Sequence, residues 1–486
     1  MDRPSHDELA LLTDLYQLTM AFAYEKTGLG EAEGVFHLFY RKNPFEGGYA
    51  VAAGLEPVMD LLEKFRFSDG DLAYLETIRG NDDKAIFDRE FLDTLSRMRF
   101  ECDVDMVPEG TVVFPFEPIL RVRGPLMQAQ IIETALLNIV NFQTLIATKA
   151  ARVCDSAGGK AVLEFGLRRA QGIDGGLSAS RAAFIGGCDA TSNVLAGRRY
   201  GIPVKGTHAH SWVMAFATEK EAFEKYAEVM PNNSLFLVDT YDTLQGVRNA
   251  VEVGKSLRDR GHEMIGVRLD SGDLAYLSIE ARKILDEAGF ERAEIFATND
   301  LDEHIIESLH QQGAEIGVWG VGTRLVTAFD QPALGGVYKL SSLRRNGGDW
   351  QHKIKLSEQA IKISTPGILQ TRRFFREGEA IGDMMWNETT TPAAPTMVDP
   401  MDHTRRKTFR PDDRFEDLLV PVFRKGKAVY QSPSLVTIRE RTRQQLALFH
   451  SGVRRFVNPH RYPVGLEKQL HDLKTRLVLE ARGLEE

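Results

Sequence analysis

Met264-Ile-Gly-Val-Arg-Leu-Asp-Ser-Gly-Asp273 is a short apolar run that passes into an arginine, two carboxylates and a glycine. A run of this length suits a strand buried on both faces, and the residues that follow are turn and cap formers. The same design recurs on both sides of it at fairly even intervals. Ala161-Val-Leu-Glu-Phe-Gly166 precedes Arg168, and Ile202-Pro-Val-Lys-Gly206 precedes Thr207 and His210. Leu235-Phe-Leu-Val238 precedes Asp239, and Ala293-Glu-Ile-Phe-Ala297 precedes Thr298-Asn299-Asp300. Glu315-Ile-Gly-Val-Trp319 precedes Gly320-Val-Gly-Thr323. Helix-like segments lie between the runs. This alternation predicts an α/β fold built on a β/α barrel, with its chemistry where the strands end.

Outward from the barrel the pattern changes. Asp14 to Lys26 reads as an amphipathic helix, and Val35-Phe-His-Leu-Phe-Tyr40 as a buried strand entering a turn at Arg41-Lys42-Asn43-Pro44. Leu55 to Phe65, Asp71 to Ile78 and Asp88 to Arg97 read as helices, and Met106 to Val122 as broken strands. Gln130 to Ser156 carries apolar residues at helical spacing and bridges into the barrel. Beyond Gly336, Lys339 to Leu343 and Gln351 to Leu356 suggest an antiparallel pair around Asn346-Gly347-Gly348. Thr389 to His403, rich in Pro and Thr, reads as a loop, and Leu435 to Leu448 and Leu466 to Leu479 as closing helices.

The bulk composition narrows the function. The chain has 486 residues, enough for two or three domains, and 43% hydrophobic with 27% charged residues is ordinary for a soluble protein. A net charge of −9 disfavours broad nucleic-acid or anionic-membrane binding but permits local positive charge for a small anion. Three cysteines at no metal-type spacing suit a reducing cytoplasm. The N-terminus lacks the pattern of a leader, and no stretch approaches the ~20 apolar residues of a membrane span.

At the strand ends several residues have two readings. Gly320, Gly322 and Thr323 offer backbone N–H groups and a hydroxyl to a phosphate, or simply make a tight turn. Arg268 can grip a carboxylate or phosphate, with Asp270 and Asp273 on ribose hydroxyls or magnesium. The alternative is an arginine–aspartate pair with a turn and a helix cap. Asp239, with Tyr241 and Asp242, invites the same two readings. His208 and His210 stand at i and i+2 without a third metal ligand nearby in sequence, so a general base or phosphoryl-accepting role suits better than a metal. Phe165 is a core ring or a stacking platform, with Arg168 or Arg169 beside it for a phosphate. Arg41 and Lys42 add cations if the first domain reaches the site.

Taken together, Thr13-Asp-Leu-Tyr-Gln-Leu-Thr-Met20, Tyr40-Arg-Lys-Asn-Pro-Phe45, Glu164-Phe-Gly-Leu-Arg-Arg-Ala-Gln-Gly172, Gly206-Thr-His-Ala-His-Ser-Trp212, Arg268-Leu-Asp-Ser-Gly-Asp-Leu274 and Asn458-Pro-His-Arg-Tyr-Pro-Val464 resemble the nicotinate phosphoribosyltransferase family, in order along nearly the whole chain. The resemblance implies a type II phosphoribosyltransferase fold: an irregular β/α barrel, an N-terminal α/β domain, and a C-terminal extension packing on that domain. Pattern and resemblance together divide the chain at 1–128, 129–340 and 341–486. The resemblance also implies a homodimer with shared sites, and conversion of nicotinate and phosphoribosyl pyrophosphate to nicotinate mononucleotide and pyrophosphate, with ATP hydrolysed and Mg2+ expected. Carried over by motif, Tyr16 of the partner subunit covers the pyridine ring and Phe165 stacks beneath it. Thr207 and Arg268 contact the carboxylate. Gly320, Gly322 and Thr323 hold the phosphoribosyl phosphate. Arg168, Asp239, Asp270, Thr298, Asn299, Arg41 and Lys42 complete the substrate site, and His210 is the histidine phosphorylated by ATP. His208 stands where the family often has an apolar residue.

Asp189 leaves one alternative open. In related nicotinamide-using enzymes an aspartate near here accepts from the amide; otherwise Asp189 is a helix cap. Nicotinamide transfer is thus the nearest rival reading, with quinolinate transfer more distant. A phosphosugar aldolase would need a better-placed base than Lys205, and a non-catalytic nucleotide sensor would not need His210.

Overall fold

Five of the apolar runs become parallel strands, and Ala190–Thr191, which was not among the runs, adds a sixth: β1 (Ala161–Glu164), β2 (Ala190–Thr191), β3 (Leu235–Leu237), β4 (Gly266–Leu269), β5 (Glu294–Ala297) and β6 (Val318–Val321). The structure is a computed structural model that describes residues 9–390, 392 and 395–484; the first eight residues, read above for a leader, lie outside these. The strand order in the sheet is β2-β1-β6-β5-β4-β3. Because β6 pairs with β1, from Val318↔Ala161 to Val321↔Glu164, the order is circular, as in a barrel. Val162, Phe236, Val267, Ile295 and Trp319 are buried. Each such side chain contributes about 1.5–3 kcal/mol relative to exposure.

The run at Ile202–Gly206 does not become a strand. It contributes one parallel bridge, Thr191↔Val204, flanked by Thr191 N–H to Pro203 O at 3.0 Å and Lys205 N–H to Thr191 O at 3.0 Å. Pro203 has no N–H to give a ladder. Between this segment and β3, side chains take over: the Thr207 hydroxyl donates to Leu235 O at 2.9 Å, and Leu237 N–H donates to His208 Nε2 at 3.4 Å. The barrel is irregular at this seam.

Helices between the strands start on side chains placed just past the strand ends. Asp242 accepts from Gln245 N–H and opens Thr243–Asp259; Asp273 accepts from Tyr276 N–H and opens Leu274–Glu287; Asp302 accepts from His304 and Ile305 N–H and opens Glu303–Gln311. Such caps satisfy amides that the first helical turn leaves unpaired. In Thr243–Asp259 the buried Val247, Ala250, Val251, Gly254 and Leu257 form one stripe at helical spacing.

The chain divides into two compact units. The barrel unit is Ile146–Pro332 with Leu435–Glu440. The other comprises the described residues of 1–145, Ala333–Ser434 and 441–486. The expected cuts at 128/129 and 340/341 fall inside elements, Leu126–Ile131 and Val337–Arg344. Val337–Arg344 belongs to the non-barrel unit because it pairs antiparallel with Glu33–Phe39 along its whole length, from Val337↔Phe39 to Arg344↔Glu33. That seven-stranded sheet continues through Leu120–Pro125, Asp103–Met106 and Val420–Arg424. A six-stranded sheet follows, ordered Arg406–Thr408, Thr396–Val398, Val464–Glu467, Glu379–Asn387, Leu369–Arg376, Arg414–Asp417. Its strand Thr396–Val398 corrects the expected Thr389–His403 loop; pairing with Arg406–Thr408 and Val464–Glu467 overrides weak local propensity.

Candidate active site

His210 opens the short helix His210–Met214, with Ala209 as its N-cap. Its Nδ1 lies 3.1 Å from the Thr240 hydroxyl. Its Nε2 faces two carboxylates, 3.9 Å from Asp239 Oδ1 and 3.8 Å from Asp270 Oδ2. Both carboxylates are held from behind. Asp239 Oδ2 accepts from Asp270 N–H at 2.8 Å and from the Ser271 hydroxyl at 2.7 Å, while the Thr298 hydroxyl donates to Asp270 Oδ1. Asp239 Oδ1 is buried without a hydrogen-bond partner. The two readings of the aspartates therefore separate: Asp242 and Asp273 cap helices, and Asp239 and Asp270 converge on the imidazole.

Arg268 sits in β4, half-buried, and its Nε is buried with no hydrogen-bond partner. Burial pulls its guanidinium below the ordinary arginine range; Asp270 and Asp239 raise it again, and Arg168 lowers it further. Arg168, on the turn Leu167–Arg169, is thus close enough for its charge to oppose that of Arg268. Two cations and an unused buried donor make a place that favours an anion.

Phe165 follows β1 and donates its N–H to Val321 O at 2.8 Å. Its half-buried ring lies over Gly320. A Cβ at Gly320 would stand 2.9 Å from Phe165 Cδ2 and 2.5 Å from Thr298 Cγ2. Gly320 thus leaves the room that the ring occupies against β6. Gly320 lies within the strand, and Gly322, N-cap of the one-turn helix Thr323–Val326, lies beyond the strand's end.

Three family models match the chain in succession: the nicotinate phosphoribosyltransferase N-terminal domain over residues 11–141, the family's own model over 161–356 and the C-terminal domain over 370–474. The nicotinate phosphoribosyltransferase of Bacillus subtilis is 45% identical, with 98% of each chain covered. The chain belongs to the nicotinate phosphoribosyltransferase family. The human nicotinate phosphoribosyltransferase is 36% identical over 96% of each chain. A crystal structure titled human nicotinic acid phosphoribosyltransferase superposes with a TM-score of 0.84 at 34% identity, covering 96% of this chain and 100% of that one. A nicotinate-nucleotide pyrophosphorylase from Pyrococcus furiosus, 22% identical, shares the fold at a TM-score of 0.70, over 92% of this chain and 97% of that one. The type II phosphoribosyltransferase architecture expected from the sequence is the one found.

Within this nicotinate phosphoribosyltransferase fold, other residues sit as follows. His208 is a core residue: it packs on Tyr226 at 4.9 Å between ring centroids, accepts from Leu237 N–H, and burial pushes it down to about 4. The Thr207 hydroxyl gives its proton to Leu235 O and accepts from His208 N–H at 2.6 Å, so in this arrangement it is occupied by the seam. Asn299 is exposed and its Oδ1 accepts from Asp300 N–H at 2.8 Å. The helix-cap reading of Asp189 fails, because Ala190–Thr191 is a strand and Asn193 caps the helix that follows. Asp189 instead pairs with Arg439 at 2.5 Å and accepts from Val162 N–H at 2.9 Å. Tyr16, Arg41 and Lys42 belong to the other unit: Tyr16 is 51% exposed on helix Leu15–Lys26, Arg41 stands over the Phe39 ring at 5.7 Å, and Lys42 is exposed.

Two positioning residues escaped the sequence reading. Glu164 is buried and accepts from Gly166 N–H at 2.5 Å, the Ser180 hydroxyl at 2.8 Å and the Thr191 hydroxyl at 2.6 Å, which fixes the turn carrying Phe165. Its signal was a charged residue inside an apolar run. Thr240, the partner of His210, gave no signal.

Proposed function

We propose that this protein transfers the phosphoribosyl group of phosphoribosyl pyrophosphate to nicotinate, driven by ATP through a phosphate carried on His210. The pyridine nitrogen bonds to the ribose anomeric carbon as the bond to pyrophosphate breaks. Positioning and charge do most of this work. The observation that carries the reading is the buried, unbonded Nε of Arg268 with the charge of Arg168 near it; the Phe165 ring follows β1 and lies against Gly320. A carboxylate on a flat ring answers both features. An amide would want an acceptor, and Asp189 is already committed to Arg439 and Val162.

For the ATP step, the tautomer whose Nδ1–H donates to Thr240 has its Nε2 lone pair free. Nε2 bonds to the terminal phosphorus of ATP, ADP leaves, and water later releases phosphate. Asp239 and Asp270 orient the ring and hold its charge when protonated. Among the described residues no group of three or more His, Cys, Asp and Glu side chains forms a metal cage. Mg2+ needs no such cage: one or two carboxylates plus substrate phosphates suffice, and the unbonded Asp239 Oδ1 with Asp270 fits that demand. A bound Mg2+ would neutralise phosphate charge. Gly322, Thr323 and Arg168 are the groups proposed for the phosphoribosyl phosphate.

The same reading makes the protein a cytoplasmic homodimer whose sites are shared, with Tyr16 of the partner subunit over the ring. Support comes from exposed apolar side chains after the strands, Leu167, Val194, Leu195, Met214 and Tyr241, which suit coverage by a second chain. Among the described residues no helix is long and apolar enough to cross a membrane. The deciding experiment compares nicotinate with nicotinamide as acceptor, with and without ATP. Nicotinate should be preferred and ATP should stimulate; preference for nicotinamide overturns the reading.

A further inference from the structure

The segment after β6 is tied to the start of another barrel helix by two neighbouring acids. Asp302 is the N-cap of Glu303–Gln311, and the side chains of Asp302 and Glu303 are both buried. Asp302 Oδ1 accepts from His304 N–H at 3.1 Å and from Ile305 N–H at 2.8 Å, which accounts for the cap. Its other oxygen leaves that helix and meets Arg324 Nη1 at 2.5 Å. Glu303 pairs with Lys149 at 2.7 Å, and Lys149 pairs in turn with Asp330 at 2.7 Å. Arg324 and Asp330 are thus both anchored on the same helix start.

Arg324 belongs to the one-turn helix Thr323–Val326. A helix this short has too few internal hydrogen bonds to fix its own direction, so its placement comes from outside. Leu325 and Val326 are buried, and the helix packs on the turn that carries Phe165. A Cβ at Gly166 would stand 2.5 Å from Val326 Cγ2 and 2.8 Å from Gly322 O. The Gly322–Thr323 backbone is therefore located by close packing against Gly166 and by charge against Asp302. The Arg324 guanidinium is flanked by that carboxylate and by the Phe329 ring, 4.9 Å from its central carbon. A buried carboxylate deprived of its cation is costly, which keeps the two together.

We propose that Asp302 is a positioning residue for the phosphoribosyl donor, acting through Arg324 to fix where Gly322 and Thr323 meet the phosphate. The inference rests on the assignment of those two residues to the phosphoribosyl phosphate. The Phe165 turn and the phosphate subsite are joined through one close contact, Gly166 on Gly322, and the ion pair keeps the phosphate end from shifting about it. Attack at the anomeric carbon needs the ring nitrogen and the departing pyrophosphate in line. A displacement of about 1 Å is enough to cost about a hundredfold.

The test is steady-state kinetics on the full-length Asp302→Asn, Arg324→Gln and double variants, with phosphoribosyl pyrophosphate and nicotinate varied in turn. Asparagine still caps the helix, so the fold is kept while the charge is lost. KM for phosphoribosyl pyrophosphate should rise about tenfold in each single variant, and KM for nicotinate should stay within about twofold. The double variant should be no worse than either single one, because both changes break the same contact. An unchanged KM for phosphoribosyl pyrophosphate in Asp302→Asn overturns the proposal. If Thr323→Val leaves that KM unchanged as well, the phosphate assignment falls with it. Effects that multiply in the double variant would mean that Arg324 grips the donor itself. An equal rise in both KM values with a falling melting temperature would make the pair a structural tie only. Either result removes the role given to Asp302.

Discussion

The imidazole of His210 is pinned by Thr240: Nδ1 stands 3.1 Å from the threonine hydroxyl, and the opposite nitrogen is thereby turned to Asp239 and Asp270. Thr240→Val removes that anchor at nearly constant volume. A neutral hydrogen bond is worth about 0.5–1.5 kcal/mol, so the ATP-driven rate should fall about two- to tenfold. Transfer without ATP should be unchanged. Steady-state assays with and without ATP check both; an equal fall in the two would place Thr240 outside the phosphate-accepting step.

Arg268→Lys keeps a positive charge and loses the fork. The expected loss is about 1.5–3 kcal/mol, an increase of about tenfold or more in KM for nicotinate. KM for ATP should stay within twofold. Since the partner of Arg268 is taken to be the acid group, any residual use of nicotinamide should be little affected. Unchanged nicotinate KM removes Arg268 from acid recognition.

Gly320→Ala puts a methyl group where Phe165 and Thr298 already stand, at 2.9 and 2.5 Å. Overpacking of this kind costs about 1–3 kcal/mol. The ring should be displaced, so thermal stability should drop and nicotinate KM should rise together. A stable variant with normal KM would show that the ring does not rest on β6 in solution.

His208 supplies an acid dependence. Burial depresses it to about 4, below the ordinary value of 6.5, so the folded protein holds a neutral ring. Between those values the unfolded chain binds more protons, and stability therefore rises with pH. The contribution of His208 is fully present above about pH 6.5 and is lost as pH falls toward 4. His208→Leu should flatten the melting temperature over that window. It should also lower it somewhat at neutral pH, because Leu237 N–H loses its acceptor. An unaltered slope between pH 4 and 6.5 would be falsifying.

Shared sites predict complementation. Tyr16→Ala and His210→Ala chains, each inactive in ATP-driven transfer, should regain a fraction of wild-type activity once their subunits exchange. One site of the mixed dimer carries both lesions and the other carries neither. With exchange shown independently, no recovery means that each site is built within one chain.

The strand ends were legible in sequence because turn and cap residues bound each apolar run: Asp242, Asp273 and Asp302 start helices just past β3, β4 and β5. Ile202–Gly206 misled because Pro203 interrupts the ladder while the apolar pattern persists. The C-terminal sheet was invisible for another reason. Val464–Glu467 pairs parallel with Glu379–Asn387, far upstream, and no local pattern encodes such a partner. In the site, the residues that act on one another through charge, Arg268 and the two aspartates, could be picked out by type. Which aspartates cap and which converge on His210 is a matter of where the backbone turns, and that required the fold.

The seam at Thr207 and His208 has one more implication. Within the ladders of β1, β6, β5, β4 and β3 the strands are stitched by amide to carbonyl, which acid does not alter. Here the Leu237 amide rests on an imidazole lone pair, two residues before His210. Protonating His208 takes that lone pair away. The barrel thus has a proton-labile stitch two residues before His210, and acidification toward pH 4 should silence the proposed ATP coupling before it melts the fold.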